Sequence, residues 1–117
     1  MIKLKKIEKI FSNKGNIFRI VDQKKLYPVK EVYITTVKCK FPKNWRKHIN
    51  CDTVLVCLKG AIIIETERLK KFIKDDLKNI AIIKKNTKFR LISKNKNSFV
   101  MSFLKIPHKK LKTISYE

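Results

Sequence analysis

Residues 31–60 read EVYITTVKCKFPKNWRKHINCDTVLVCLKG. The first ten, EVYITTVKCK, are dense in Val, Ile, Thr and Tyr, which suit a pleated surface, and they predict a long strand. Residues 53–58, TVLVCL, are continuously apolar, as befits a strand covered on both faces. Lys59 and Gly60 then turn the chain into AIIIETE (61–67). Between the two apolar runs lies NWRKHIN (44–50), with the only tryptophan and one of the two histidines. Such a polar segment is either a decorated surface turn or the rim of a binding site.

The strand pattern continues on both sides. Residues 3–11 and 16–21 flank SNKG (12–15), where Gly15 can take the positive φ of a hairpin turn, so an N-terminal hairpin is predicted over 1–22. ERLKKFIKDD (67–76) is ambiguous, with a short helix possible by composition, and a turn follows from Asp75-Asp76 to Asn79. Residues 80–84, 87–93 and 98–105 are further strands separated by KKN and SKNKN, where Asn86 and Asn95 tolerate left-handed backbone. About eight short strands with turns every 8–12 residues predict an all-β antiparallel barrel or sandwich, and a jelly roll fits the count. Such barrels enclose a cavity lined by alternate side chains, and NWRKHIN would connect two core strands near its mouth.

The chain's 117 residues make one domain, with the barrel core expected over 30–106. No apolar run approaches the roughly 20 residues that span a bilayer. MIKLKKIEKIF (1–11) lacks the uninterrupted apolar stretch of a secretory signal, so a cytoplasmic protein is expected. Three cysteines (Cys39, Cys51, Cys57), no CxxC and two histidines argue against a disulfide framework and against a zinc site. Cys51, three residues after His48, is the one candidate for an activated thiol. The formal net charge is +21, yet only four of the 30 basic residues are arginine (Arg19, Arg46, Arg68, Arg90). Lysines spread over every segment, beside abundant Ile and Asn, read as AT-rich codon usage and a solvated surface. Base readout and bidentate phosphate clamps favour arginine.

The order of three motifs resembles a cupin family related to dTDP-4-dehydrorhamnose 3,5-epimerase and the dTDP-sugar 3,4-ketoisomerases. That family runs E-V-Y, a turn, K-G-W-x-x-H, then an apolar strand ending in Gly. Glu31, Val32, Tyr33, Lys43, Trp45, His48 and Gly60 fall on it without a gap. YPVKEVY (27–33) resembles the opening of the ketoisomerases. SFVMSFLKIPH (98–108) resembles the family's last strand, which runs into a Pro-His pair. The resemblance spans nearly the whole chain. It implies a cupin-type jelly-roll barrel (double-stranded β-helix), a homodimer, no metal or other cofactor, and a nucleotide-diphosphate sugar as partner. The chemistry it implies is proton abstraction next to a ketone, with a returning acid and a group that stabilises the enolate. This chain departs from the pattern in places. Arg46 stands where the paired histidine motif has its first histidine, Asn44 replaces a glycine, Phe89 stands at the second histidine, and Thr53 replaces a cavity-lining glutamine.

Candidate roles follow. An ordinary imidazole titrates near pH 6.5, so His48 can act as a base or can be hydrogen-bonded at the barrel rim. Tyr33, mid-strand, is either core or an inward proton donor. Arg46 can clamp a diphosphate through two parallel hydrogen bonds or sit as a turn charge. Trp45 is a stacking platform or packs under the barrel end. Arg90, between Phe89 and Leu91, needs an anion if it points inward, either a side chain or a substrate phosphate, and is expected with Arg46 as a phosphate contact. Thr53 is a further substrate contact. Lys43 and Lys47 read as surface, His108 as structural or exposed, and Asp52 as balancing local lysines. The leading expectation is a sugar-nucleotide isomerase or epimerase in surface-polysaccharide synthesis. A catalytically degenerate cupin binding a sugar nucleotide or other anion comes second. A basic nucleic-acid binder comes last, because aromatic and basic residues do not interleave.

Overall fold

A computed structural model of the protein describes residues 2–20, 29–94 and 96–116. Tyr27 and Pro28 of the YPVKEVY motif, and Asn95, lie outside the described residues. The strands are β1 (Ile2–Lys6), β2 (Glu8–Ile10), β3 (Ile17–Arg19), β4 (Glu31–Val37), β5 (Trp45–His48), β6 (Thr53–Lys59), β7 (Ala61–Glu65), β8 (Lys70–Lys74), β9 (Asn79–Ile83), β10 (Lys88–Ser93), β11 (Ser98–Leu104) and β12 (Thr113–Tyr116). A single 3₁₀ turn, His108–Lys110, precedes β12. Two five-stranded antiparallel sheets, ordered β1-β9-β6-β11-β4 and β12-β5-β10-β7-β8, form the jelly roll, and β2 pairs with β3 as the expected hairpin.

The sheets meet over one core. Leu55, Cys57, Ala81, Ile83 and Val100 come from the first sheet; Ile62, Ile64, Ile73, Phe89 and Leu91 come from the second. Alternation dictates this, since every second residue of a strand faces the same way. The β6 strand is covered on both faces over its apolar stretch Val54–Cys57. Leu55 and Cys57 face the core, while Val54 and Val56 face outward into a second cluster with Ile7, Ile80, Ile82 and Phe103. Each fully buried Ile or Val contributes about 1.5–3 kcal/mol relative to exposure.

Three expectations need correction. Residues 3–11 are not one strand, because the Ile7 amide donates to the Lys78 carbonyl (2.8 Å) and turns the chain between β1 and β2. ERLKKFIKDD contains no helix. The Thr66 hydroxyl accepts from the amides of Arg68 and Leu69, closing a turn that feeds β8, which pairs with β7 and buries Ile73. NWRKHIN is not a connection either: Trp45–His48 is β5, hydrogen-bonded between β10 and the C-terminal β12. Asn86 takes the left-handed conformation expected of it (φ 66°). At Gly60 (φ 87°) an added Cβ would collide with the Ser98 hydroxyl, so a glycine is required on both counts.

Candidate functional site

At one end of the sandwich the inward residues change from aliphatic to polar and leave a cavity of about 410 Å³. The first sheet contributes Tyr33 and Thr35 from β4, Thr53 from β6 and Ser102 from β11. The second contributes Arg46 and His48 from β5, Phe89 and Leu91 from β10, and Thr113 from β12. Lys43 and His108 reach it from the connections. No carboxylate is among the lining residues, so the chamber is basic and polar. A larger open groove, about 870 Å³, runs between the hairpin and the turn before β9. Its lining has lysines, Glu8 and Asp76 but no histidine or tyrosine, whereas both histidines and Tyr33 line the smaller cavity.

His48 is 7% exposed. Its Nδ1 lies 2.8 Å from the Thr113 hydroxyl, and its ring stands edge-on to Phe89 (centroids 5.5 Å, 60°). Burial first, then the nearby Arg46 and His108, lower its pKa to about 4, because each disfavours the imidazolium. His48 is therefore neutral at pH 7. Burial raises the Tyr33 phenol above its ordinary value against the opposing hydrogen bond with Ser102, so Tyr33 carries its proton. The rings of Tyr33 and His108 meet edge to face, centroids 4.9 Å apart. His108 is held there because its amide donates to Glu31 Oε1 (2.8 Å). The Thr53 hydroxyl oxygen is buried in the cavity wall and has no hydrogen-bond partner among the described residues. A buried polar atom in that state is ready for a water or a ligand group.

The structure thus brings together His48, Tyr33, Arg46 and Thr53. It separates Arg90 and Trp45 from them. On β10 the flanking Phe89 and Leu91 face inward, so Arg90 faces out, and its Nε donates to Glu65 Oε1 at 2.7 Å. The Arg90 guanidinium lies 4.9 Å from the Trp45 ring centroid, and Lys88 Nζ lies over Tyr116 at 4.3 Å. The hydrogen bond from Arg90 lowers the Glu65 pKa. Asp52 does not orient His48. Its carboxylate accepts from the Lys85 amide (2.8 Å) and Lys84 Nζ (3.1 Å), which together outweigh burial and lower its pKa. The Cys51 thiol donates to the Asp52 carbonyl. Lys43, expected at the surface, and His108, expected to be structural or exposed, line the cavity, as do Ser102 and Thr113, for which the sequence suggests no role. Among the described residues, no group of three or more His, Cys, Asp or Glu could hold a metal ion, and no helix is long and apolar enough to cross a membrane.

No family model matches the sequence, and no curated protein matches it. The fold has many solved counterparts. The sugar 3,4-ketoisomerase QdtA of Thermoanaerobacterium thermosaccharolyticum, in complex with TDP, is 19% identical, with 97% of this chain and 86% of that chain covered (TM-score 0.79). The WlaRB TDP-quinovose 3,4-ketoisomerase of Campylobacter jejuni is 18% identical over 98% and 92% of the two chains (TM-score 0.81). The dTDP-6-deoxy-D-glucose-3,5-epimerase RmlC of Legionella pneumophila, in complex with dTDP-4-keto-L-rhamnose, is 7% identical over 99% and 72% (TM-score 0.78). The architecture is the jelly roll these proteins share.

Proposed function

We propose that the chain is a sugar-nucleotide isomerase or epimerase acting on a dTDP-4-keto-6-deoxyhexose. The observation that carries this reading is one basic cavity holding a neutral buried imidazole, a protonated phenol and an arginine, in a fold shared with a TDP-quinovose 3,4-ketoisomerase and a dTDP-6-deoxy-D-glucose-3,5-epimerase. A cavity of about 410 Å³ suits a hexose and part of its diphosphate, with the nucleoside at the opening. His48 removes a proton from the carbon beside the ketone. Arg46 and Lys43 supply positive charge for the enolate and the phosphates. Tyr33 returns a proton on another carbon or face, and Thr53 accepts or donates to a sugar hydroxyl. The test is incubation of the purified protein with a panel of such keto sugars, with products read by NMR. A new isomer supports the proposal; unchanged sugars across the panel would sink it.

A second reading is favoured by the weak basicity of His48 and by Phe89 in place of a second histidine: a binder that retains the cavity without turnover. Tight binding of the sugar nucleotide that survives His48→Ala, with no product, selects it.

We also infer a cytoplasmic homodimer. The outer face of the first sheet exposes Val32 (47%) and Ile34 (58%) on β4, the edge strand among the described residues, and Phe99 (38%) on the neighbouring β11. A second copy covering that face would remove both the apolar surface and the unpaired edge.

A further inference from the structure

We propose that Thr113, carried by the C-terminal strand, is a positioning residue that holds His48 with Nδ1 protonated and Nε2 as the basic nitrogen. This rests on the catalytic reading for its consequence, though not for its geometry. Thr113 and His48 are register partners across β12 and β5, with Oγ1 and Nδ1 2.8 Å apart. The strand cannot slide. The Ile49 amide donates to the Lys112 carbonyl (3.0 Å), and the Asn50 side chain bonds both the Lys110 carbonyl and the Lys112 amide (2.9 Å each).

A hydroxyl both donates and accepts, so the contact alone fits either tautomer. The rest of the cavity decides. Arg46, on the same strand, and Lys43, from the preceding loop, are donors only, and His108 and the protonated Tyr33 complete the titratable lining. A lone pair on Nε2 is favoured in that positive field, and an N–H there is not. The Nδ1 proton then points to Thr113. A carboxylate at this position would also stabilise the imidazolium. A hydroxyl fixes the ring without adding negative charge, so His48 stays neutral to low pH and works as a weak but correctly aimed base.

The experiment is nitrogen-detected NMR of histidine-labelled protein, with a His108→Gln variant to assign the two rings. The wild type should show a protonated Nδ1 and a bare Nε2. Thr113→Ser should keep that spectrum, and Thr113→Val should populate the other tautomer. Thr113→Asp should raise the His48 titration by about one pH unit or more. A protonated Nε2 in the wild type, or a Val variant identical to it, overturns the proposal. On the keto-sugar substrate, Val should lower kcat about tenfold or more with little change in KM, while Ser retains it. If no variant nor the wild type turns over substrate but the tautomer results hold, the positioning stands and the proposed activity fails.

Discussion

Arg46 and His48 are two residues apart on β5 and so leave the same face of the strand, into one cavity. The guanidinium adds to burial in holding the imidazole uncharged. In the proposed reaction that single feature, a cation beside a base it keeps neutral, would join the binding of an anion to the removal of a proton.

Stability should record it. The folded pKa of His48 is about 4 and its unfolded value 6.5, so as pH falls the unfolded chain takes the proton first. Stability is complete above pH 6.5 and is lost towards pH 4, at most about 3 kcal/mol and less for a ring that faces a cavity. Urea denaturation between pH 6.5 and 4.5 should cost the wild type up to about 2 kcal/mol more than His48→Gln. Parallel pH profiles for the two proteins would contradict the assignment.

The two arginines should behave differently. Arg46→Ala should weaken binding of a dTDP-sugar by about tenfold or more, as loss of a charge-assisted contact does. Arg90→Ala should leave affinity within about twofold and cost less than about 1 kcal/mol of stability, since the Glu65 pair is partly solvated. Calorimetry on both variants checks this, and equal losses would place Arg90 in the site after all.

Thr53→Val removes the buried hydroxyl that has no partner among the described residues. Without ligand the variant should be as stable as the wild type, or more stable by up to about 1 kcal/mol. With the sugar nucleotide it should bind several-fold more weakly. A loss of stability without ligand would mean that the hydroxyl is satisfied in the free protein.

The homodimer is tested by Ile34→Glu on the exposed sheet face. Sedimentation should show a dimer for the wild type and a monomer for the variant, with the cavity side chains unchanged. A monomeric wild type at micromolar concentration would remove the proposal.

What was legible in the sequence follows from locality. After Thr53, TVLVCL is continuously apolar and β-branched-rich over a strand's length, which fits a strand covered on both faces. Arg46 and His48 stood out by residue type, but that they share a face follows only once Trp45–His48 is a strand. Arg90 was expected as a phosphate contact, yet apolar Phe89 and Leu91 on either side claim the interior and turn it outward to Glu65. β5 and β12 were not readable. Each has four residues with mixed polarity, and each becomes a strand only by pairing with a partner far along the chain. Thr113 and His108 lie beyond the last apolar run, so nothing local tied them to a cavity whose walls come from both sheets. In β8 the alternation of KKFIK fitted either helix or strand until pairing with β7 decided it.

The most direct measurement is exchange in heavy water. The protein is incubated with a dTDP-4-keto-6-deoxyhexose and the sugar is read by mass spectrometry. The wild type should place deuterium on a carbon next to the ketone, and His48→Asn, which keeps the cavity but lacks the base, should not. Label entering equally with both proteins, or with neither at any pH, would contradict the role given to His48.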